Sequence, residues 1–195
     1  REYVDERRLD RPTLVGHSLG GFVALLAASE APGSFAGVVA VDGVPYLPSL
    51  ADPAARPDTM AERAAAIRTF HATLTAEQYR QQSKLALASM IGSEADRERA
   101  LTWTAGSDPA TVGIAVAEML TTDLRPALPS IDTPVLLIGA LGGVPETMRE
   151  SMRAAYRDQV ASLPDVEVVY SDTSRHFVML DAPDFLRLEL TEFFD

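Results

Sequence analysis

The chain has 195 residues, 47% of them hydrophobic and 23% charged, which suits one soluble globular domain with a sizeable core. Its formal net charge of −11 argues against nucleic acid and anionic lipid as partners, because phosphate repels an acidic surface. No cysteine is present, which excludes a disulfide framework, thiolate chemistry and thiolate metal binding, and no apolar run is long enough to span a membrane.

The first residues, REYVDERRL (1–9), read as the end of a surface helix, and the chain starts in mid-helix at Arg1 without an initiator Met. Any signal peptide is expected upstream, so the compartment stays open. Pro12–Val15 is a short apolar strand that runs into VGHSLGG. Leu19–Ser29 is apolar and rich in helix formers, which predicts a buried helix. Gly37–Val41 (GVVAV) has the β-branched density of a buried strand, and Pro134–Ile138 and Val166–Tyr170 repeat that signal. Between those last two, Pro145–Ser162 is amphipathic, with Met148, Met152, Ala155 and Val160 at helical spacing. Pro183–Phe194 is a final helix, with Phe185, Leu186 and Phe193 apolar.

Strands and helices thus alternate, which predicts an α/β fold: a parallel sheet covered by helices on both faces. One long insert interrupts the alternation. Residues 46–133 show no clear strand, and Ala61–Leu74 and Ala76–Ile91 read as helices. Pro53, Pro57, Gly92, Gly106 and Pro109 divide the insert into several short helices. The expected organisation is a core of residues 1–45 and 134–195, with 46–133 as a helical cap or lid.

VGHSLGG contains G-x-S-x-G between a strand and a helix, the setting of a nucleophile elbow. Ser18 then stands at a sharp turn above the strand end, and small neighbours at Gly16 and Gly20 avoid clashes. The Leu19 N–H, at the start of the next helix, is placed to donate to an oxyanion. A neutral hydroxyl is a poor nucleophile and needs a base. Of three histidines, His17 adjoins Ser18 in the turn and reads as structural, and His71 lies in the helical insert. His176, in SRHFVML after the last strand, falls at the same sheet edge as Ser18 and is the expected general base.

VGHSLGG, then GVVAVDG, PVLLIGA and RHFVMLDAPDFL, together resemble the α/β-hydrolase superfamily in order and spacing. The resemblance runs from the elbow strand to the C-terminus, with the insert in the usual cap position. It implies Ser18 as nucleophile, His176 as base and esterase-, lipase- or thioesterase-like hydrolysis. Dehalogenases and epoxide hydrolases of this fold fit less well, because they carry aspartate at the elbow. The acid is where the sequence departs from the usual pattern, since the strand Pro134–Ile138 runs into GALGGVP with no carboxylate before Glu146. Asp42, directly after the preceding strand, is the preferred candidate, because some relatives carry the acid there. Glu146 is the alternative, although it also suits a helix first turn. Asp172, or a dyad without an acid, covers the rest. Asp181 and Asp184 read as helix-start residues.

The resemblance also implies that the first strands of the fold, and a second oxyanion donor, are missing. Truncation or a partner chain that supplies them are the two expectations, and without them the elbow strand is an open edge. The expected substrate is a small ester-like molecule, hydrolysed through an acyl-enzyme. A binding protein without turnover and an acyltransferase on the same residues are the alternatives. No metal or organic cofactor is implied.

Overall fold

The computed structural model describes residues 2–195. Arg1, part of the helix end expected over residues 1–9, lies outside them. Four strands, β1 (Thr13–His17), β2 (Gly37–Val41), β3 (Val135–Ala140) and β4 (Val166–Ser171), form one parallel sheet in sequence order. Each connection is helical or contains helices, as parallel neighbours require. The α/β class and the helix-covered parallel sheet are therefore as the alternation predicts.

Strand residues alternate between two apolar layers, because successive side chains point to opposite faces. Val38, Ala40, Val135 and Leu137 face a layer with Phe22 and Leu25 of α2 (Leu19–Glu30) and Tyr156 and Val160 of α7 (Glu146–Val160). Val39, Val41, Leu136 and Ile138 face the other, closed by Phe185, Leu186, Leu190 and Phe193 of α9 (Pro183–Phe194). β2 and β3 are buried on both faces, which explains their unbroken apolar composition. β1 is the edge strand of the described sheet, and Val15 on it is 53% exposed.

Three sequence expectations need correction. α2 buries Phe22, Ala24, Leu25 and Ala28, but Leu19 and Val23 stay exposed, so the helix is one-sided. Along α7 the buried stripe is Tyr156, Gln159 and Val160, with Met152 partly buried, whereas Met148 is exposed. Residues i, i+4 and i+7 share a helix face, so the true stripe runs from Met152 rather than Met148. Between β4 and α9 there is also a short helix, α8 (Val178–Asp181), which places Asp181 at a helix end rather than a helix start.

α1 (Glu2–Arg7) buries no residue, as a surface helix should. The insert is all helical: α3 (Pro57–Ala72), α4 (Ala76–Met90), α5 (Glu94–Trp103) and α6 (Pro109–Thr121). Two of its three breaks fall where Gly and Pro stand, whereas α3 and α4 part at Thr73–Thr75, with Thr75 capping α4. Gly92 lies between α4 and α5, Gly106 ends a short 3₁₀ turn after α5, and Pro109 opens α6 behind an Asp108 cap. α3 and α6 share a small core of Ala64, Ala117 and Leu120, while α4 and α5 share Leu87, Ile91, Ala100 and Leu101. The stem of the insert is fixed to the core. Gln159 of α7 receives the Tyr46 N–H (3.1 Å) and donates to the Tyr46 carbonyl (2.9 Å), and the Leu124 N–H donates to the Pro45 carbonyl (3.1 Å). Among the described residues no helix is long and apolar enough to cross a membrane.

Candidate active site

Register brings the first two site residues together. His17 pairs with Val41, and each is the last residue of its strand. Ser18 and Asp42 therefore leave adjacent strand ends side by side. Both adopt left-handed backbone, at φ 54° and 48°, a conformation that costs energy for residues with a Cβ. Backbone hydrogen bonds hold them there: Ser18 N–H to the Val41 carbonyl (2.9 Å) and Asp42 N–H to the Ile138 carbonyl (2.7 Å). The turn tolerates no side chain at two glycines. A Cβ at Gly16 would lie 2.1 Å from the Gly20 carbonyl oxygen, and one at Gly43 would lie 2.4 Å from that of Ser18.

His176 lies between β4 and α8, and its Nδ1 is 2.6 Å from Asp42 Oδ2. A carboxylate only accepts, so Nδ1 carries the proton and Nε2 keeps its lone pair. The Asp42 side chain is 10% exposed and that of His176 24%, so the pair is shielded without being sealed off. The second carboxylate oxygen is also occupied. Oδ1 accepts from the Ala140 N–H (3.2 Å) and from the Tyr156 hydroxyl. Burial, and then the negative charge of Asp42, push the Tyr156 phenol well above its ordinary value, so it remains a donor.

Of the sequence-predicted residues, the structure thus joins Asp42 to His176 and sets Ser18 on the neighbouring strand end. Glu146 stands elsewhere, exposed at the start of α7, where a negative charge suits the helix dipole. Asp172 is paired with Arg153 at 2.5 Å. His71 sits in α3 beside Tyr79 and Phe70, within the insert.

Two further residues bear on the site. Tyr156 carried one usable signal: it falls on the buried stripe of an amphipathic helix, where a phenolic hydroxyl needs a partner. His17 packs its ring on that of His176, with centroids 4.5 Å apart, and donates from Nε2 to the His176 carbonyl oxygen (2.9 Å). Burial and the neighbouring His176 depress the His17 pKa, which favours the neutral ring. His17 thus supports the loop that carries His176.

A profile of the alpha/beta hydrolase family matches residues 1–187. The chain belongs to this family. Membership makes it an enzyme of the hydrolase class, and solved structures of hydrolases share its fold. A hydrolase from Pseudomonas aeruginosa PA01 superposes with a TM-score of 0.74 at 20% identity, over 99% of this chain and 68% of that one. An enol-lactonase from Burkholderia xenovorans LB400 gives 0.67 at 16% identity, over 98% and 68%. A thermophilic esterase from Thermogutta terrifontis gives 0.68 at 18%, again over 98% and 68%. At these identities the likeness is one of fold. No curated protein matches the chain in sequence.

Among the described residues there is no group of three His, Cys, Asp or Glu side chains that could hold a metal ion. A groove of about 580 Å³ opens between α4 and α5, lined by Leu85, Leu87 and Leu101 with Lys84 and Glu98, and none of Ser18, Asp42 or His176 borders it.

Proposed function

We propose that the chain is a serine hydrolase that cleaves carboxylic ester or thioester bonds through an acyl-enzyme. The observation that carries this reading is the 2.6 Å bond from His176 Nδ1 to Asp42, at the strand end next to the left-handed Ser18. Ser18 is the nucleophile. His176 Nε2 takes the hydroxyl proton as Oγ attacks the carbonyl carbon. Asp42 holds the Nδ1–H tautomer and stabilises the imidazolium that forms. The N–H of Leu19, in the first turn of α2, has no partner inside its own helix and donates to the developing oxyanion. The imidazolium returns its proton to the leaving alcohol or thiol, which departs. Water, deprotonated by the same imidazole, then releases the acid and regenerates Ser18.

Ester substrates are favoured over other scissile bonds by the serine at the elbow, and the likeness to an esterase and an enol-lactonase points the same way. The helical insert, residues 46–133, serves as the cap over the site. The test is hydrolysis of a short p-nitrophenyl ester by the wild type and by Ser18→Ala. The variant should lose turnover and fluorophosphonate labelling together. Undiminished turnover in Ser18→Ala would sink the assignment. Products formed with a competing alcohol separate hydrolysis from acyl transfer.

A further inference from the structure

The segment that carries His176 is held from the insert as well as from the core. Both chain neighbours of His176 are engaged. The Arg175 N–H donates to Asp181 Oδ2 (2.9 Å), and the Phe177 N–H donates to the carbonyl of Met90, the last residue of α4 (3.3 Å). Asp181 uses its other oxygen on the insert, where Oδ1 accepts from the Gly92 N–H (2.9 Å). The Arg175 guanidinium reaches the end of α4 and donates to the carbonyls of Ala88 (2.9 Å) and Ile91 (3.3 Å). Those are unpaired helix-terminal carbonyls, at the end where a cation is favoured. Phe177 and Leu180 complete the contact by packing on Leu87, Ile91, Ala100 and Leu101.

We infer that Asp181 is a positioning residue for His176, tying the base's loop to the α4–α5 hairpin of the insert. One carboxylate spans the two segments, with one oxygen on each. The α4–α5 end of the insert and the His176 loop therefore form one mechanical unit. A displacement of this hairpin carries His176 with it and alters its bond to Asp42. The insert sets the alignment of the base, beyond whatever it contributes to substrate selection. This inference rests on the proposed role of His176.

The test compares wild type with Asp181→Ala, Asp181→Asn and Arg175→Met in three measurements. These are kcat and KM on a p-nitrophenyl ester, the downfield proton resonance of the His176 Nδ1–H held to Asp42, and amide exchange at Gly92 and Arg175. A misplacement of about 1 Å costs on the order of 10²-fold in rate, so Asp181→Ala should lower kcat by about that factor. KM should change by no more than about threefold, because a positioning loss falls on the chemical step. The downfield resonance should broaden or vanish, and exchange at both amides should quicken. Asparagine keeps one acceptor and should fall between. If Asp181→Ala does not fold, Arg175→Met decides, since it removes only the contacts to the end of α4; a loss of kcat with a weakened resonance supports the inference. Unchanged kcat and an unchanged resonance in the folded variants would overturn it. The resonance and exchange are read without turnover, so they decide the point even if Ser18→Ala shows the ester reading to be wrong.

Discussion

Asp42→Asn is the substitution whose outcome the site geometry constrains most. An asparagine there must choose which end faces His176. Its amide nitrogen cannot sit in the Oδ1 position without opposing the Ala140 N–H, a backbone donor that cannot turn away. A buried donor left unpaired costs about 1–3 kcal/mol, so the asparagine oxygen stays on that side. The Tyr156 hydroxyl, which donates to the same oxygen, reinforces the choice. The amide nitrogen then points at His176 Nδ1, where a carboxylate oxygen stood at 2.6 Å. Nδ1 must now accept, the proton moves to Nε2, and the base has no lone pair for the Ser18 proton. The fold and the shape of the site survive, but the tautomer is wrong. Such a change costs about 10⁴-fold in turnover, on the order of 5 kcal/mol in the barrier. The assay is kcat/KM on a p-nitrophenyl ester, with the His176 tautomer read from its ¹⁵N shifts. If Asp42→Asn keeps more than about a tenth of wild-type kcat/KM, the assignment of the acid is refuted. Glu146→Gln is the control and should leave kcat/KM within about twofold of wild type.

Tyr156→Phe removes a buried hydrogen bond to a charged group and should cost about 1.5–3 kcal/mol of stability. For a chain of this length that lowers Tm by about 3–12 °C in a calorimetric or circular-dichroism melt. Gly43→Ala places a methyl 2.4 Å from the Ser18 carbonyl oxygen and 2.8 Å from the Gly21 Cα, both backbone atoms. It should destabilise by about 1–3 kcal/mol or more and disrupt the elbow, so activity should fall with Tm. His17 titrates below its ordinary value of about 6.5 in the folded chain, because burial and His176 disfavour the imidazolium. The unfolded chain then binds the proton first, so stability is full above that ordinary value and is lost as pH falls through it toward the folded value. Tm measured downward from neutral pH should decline, and His17→Gln, which still donates to the His176 carbonyl, should flatten that decline.

The core strands were legible because GVVAV and VLLI are buried on both faces, and only β-branched or aliphatic runs satisfy that. The elbow was legible for a related reason: backbone packed around a left-handed serine forces glycine at Gly16, although Gly20, expected to avoid a clash as well, stands in open space. Asp42 could be favoured over Glu146 from its place at a strand end. Its contact with His176, however, depends on the β1–β2–β3 register and on a loop after β4, and single-sequence periodicity encodes neither. Tyr156 escapes a reading of α7 through its aliphatic residues, Met148, Met152, Ala155 and Val160, because the buried face also carries a phenol and, at Gln159, an amide. Asp181 was mistaken for a helix-start residue because DAPD invites that reading. Its partners, Gly92 and Arg175, lie 89 and 6 residues away and meet only once the insert has docked.

Ser18 and Asp42 extend two paired strands, and the amide of each is fastened to a neighbouring strand. His176 instead hangs on the short connection between β4 and α8. Two members of the site therefore share the stiffness of the sheet, while the third has that of a loop. Local opening of such a segment requires less free energy than melting the sheet. Warming should thus silence the enzyme reversibly before the protein denatures, with turnover falling while the far-ultraviolet circular dichroism is still native. The temperature ceiling for catalysis would be set by residues 172–177 and the hold that the α4–α5 hairpin has on them, and not by the strength of the core.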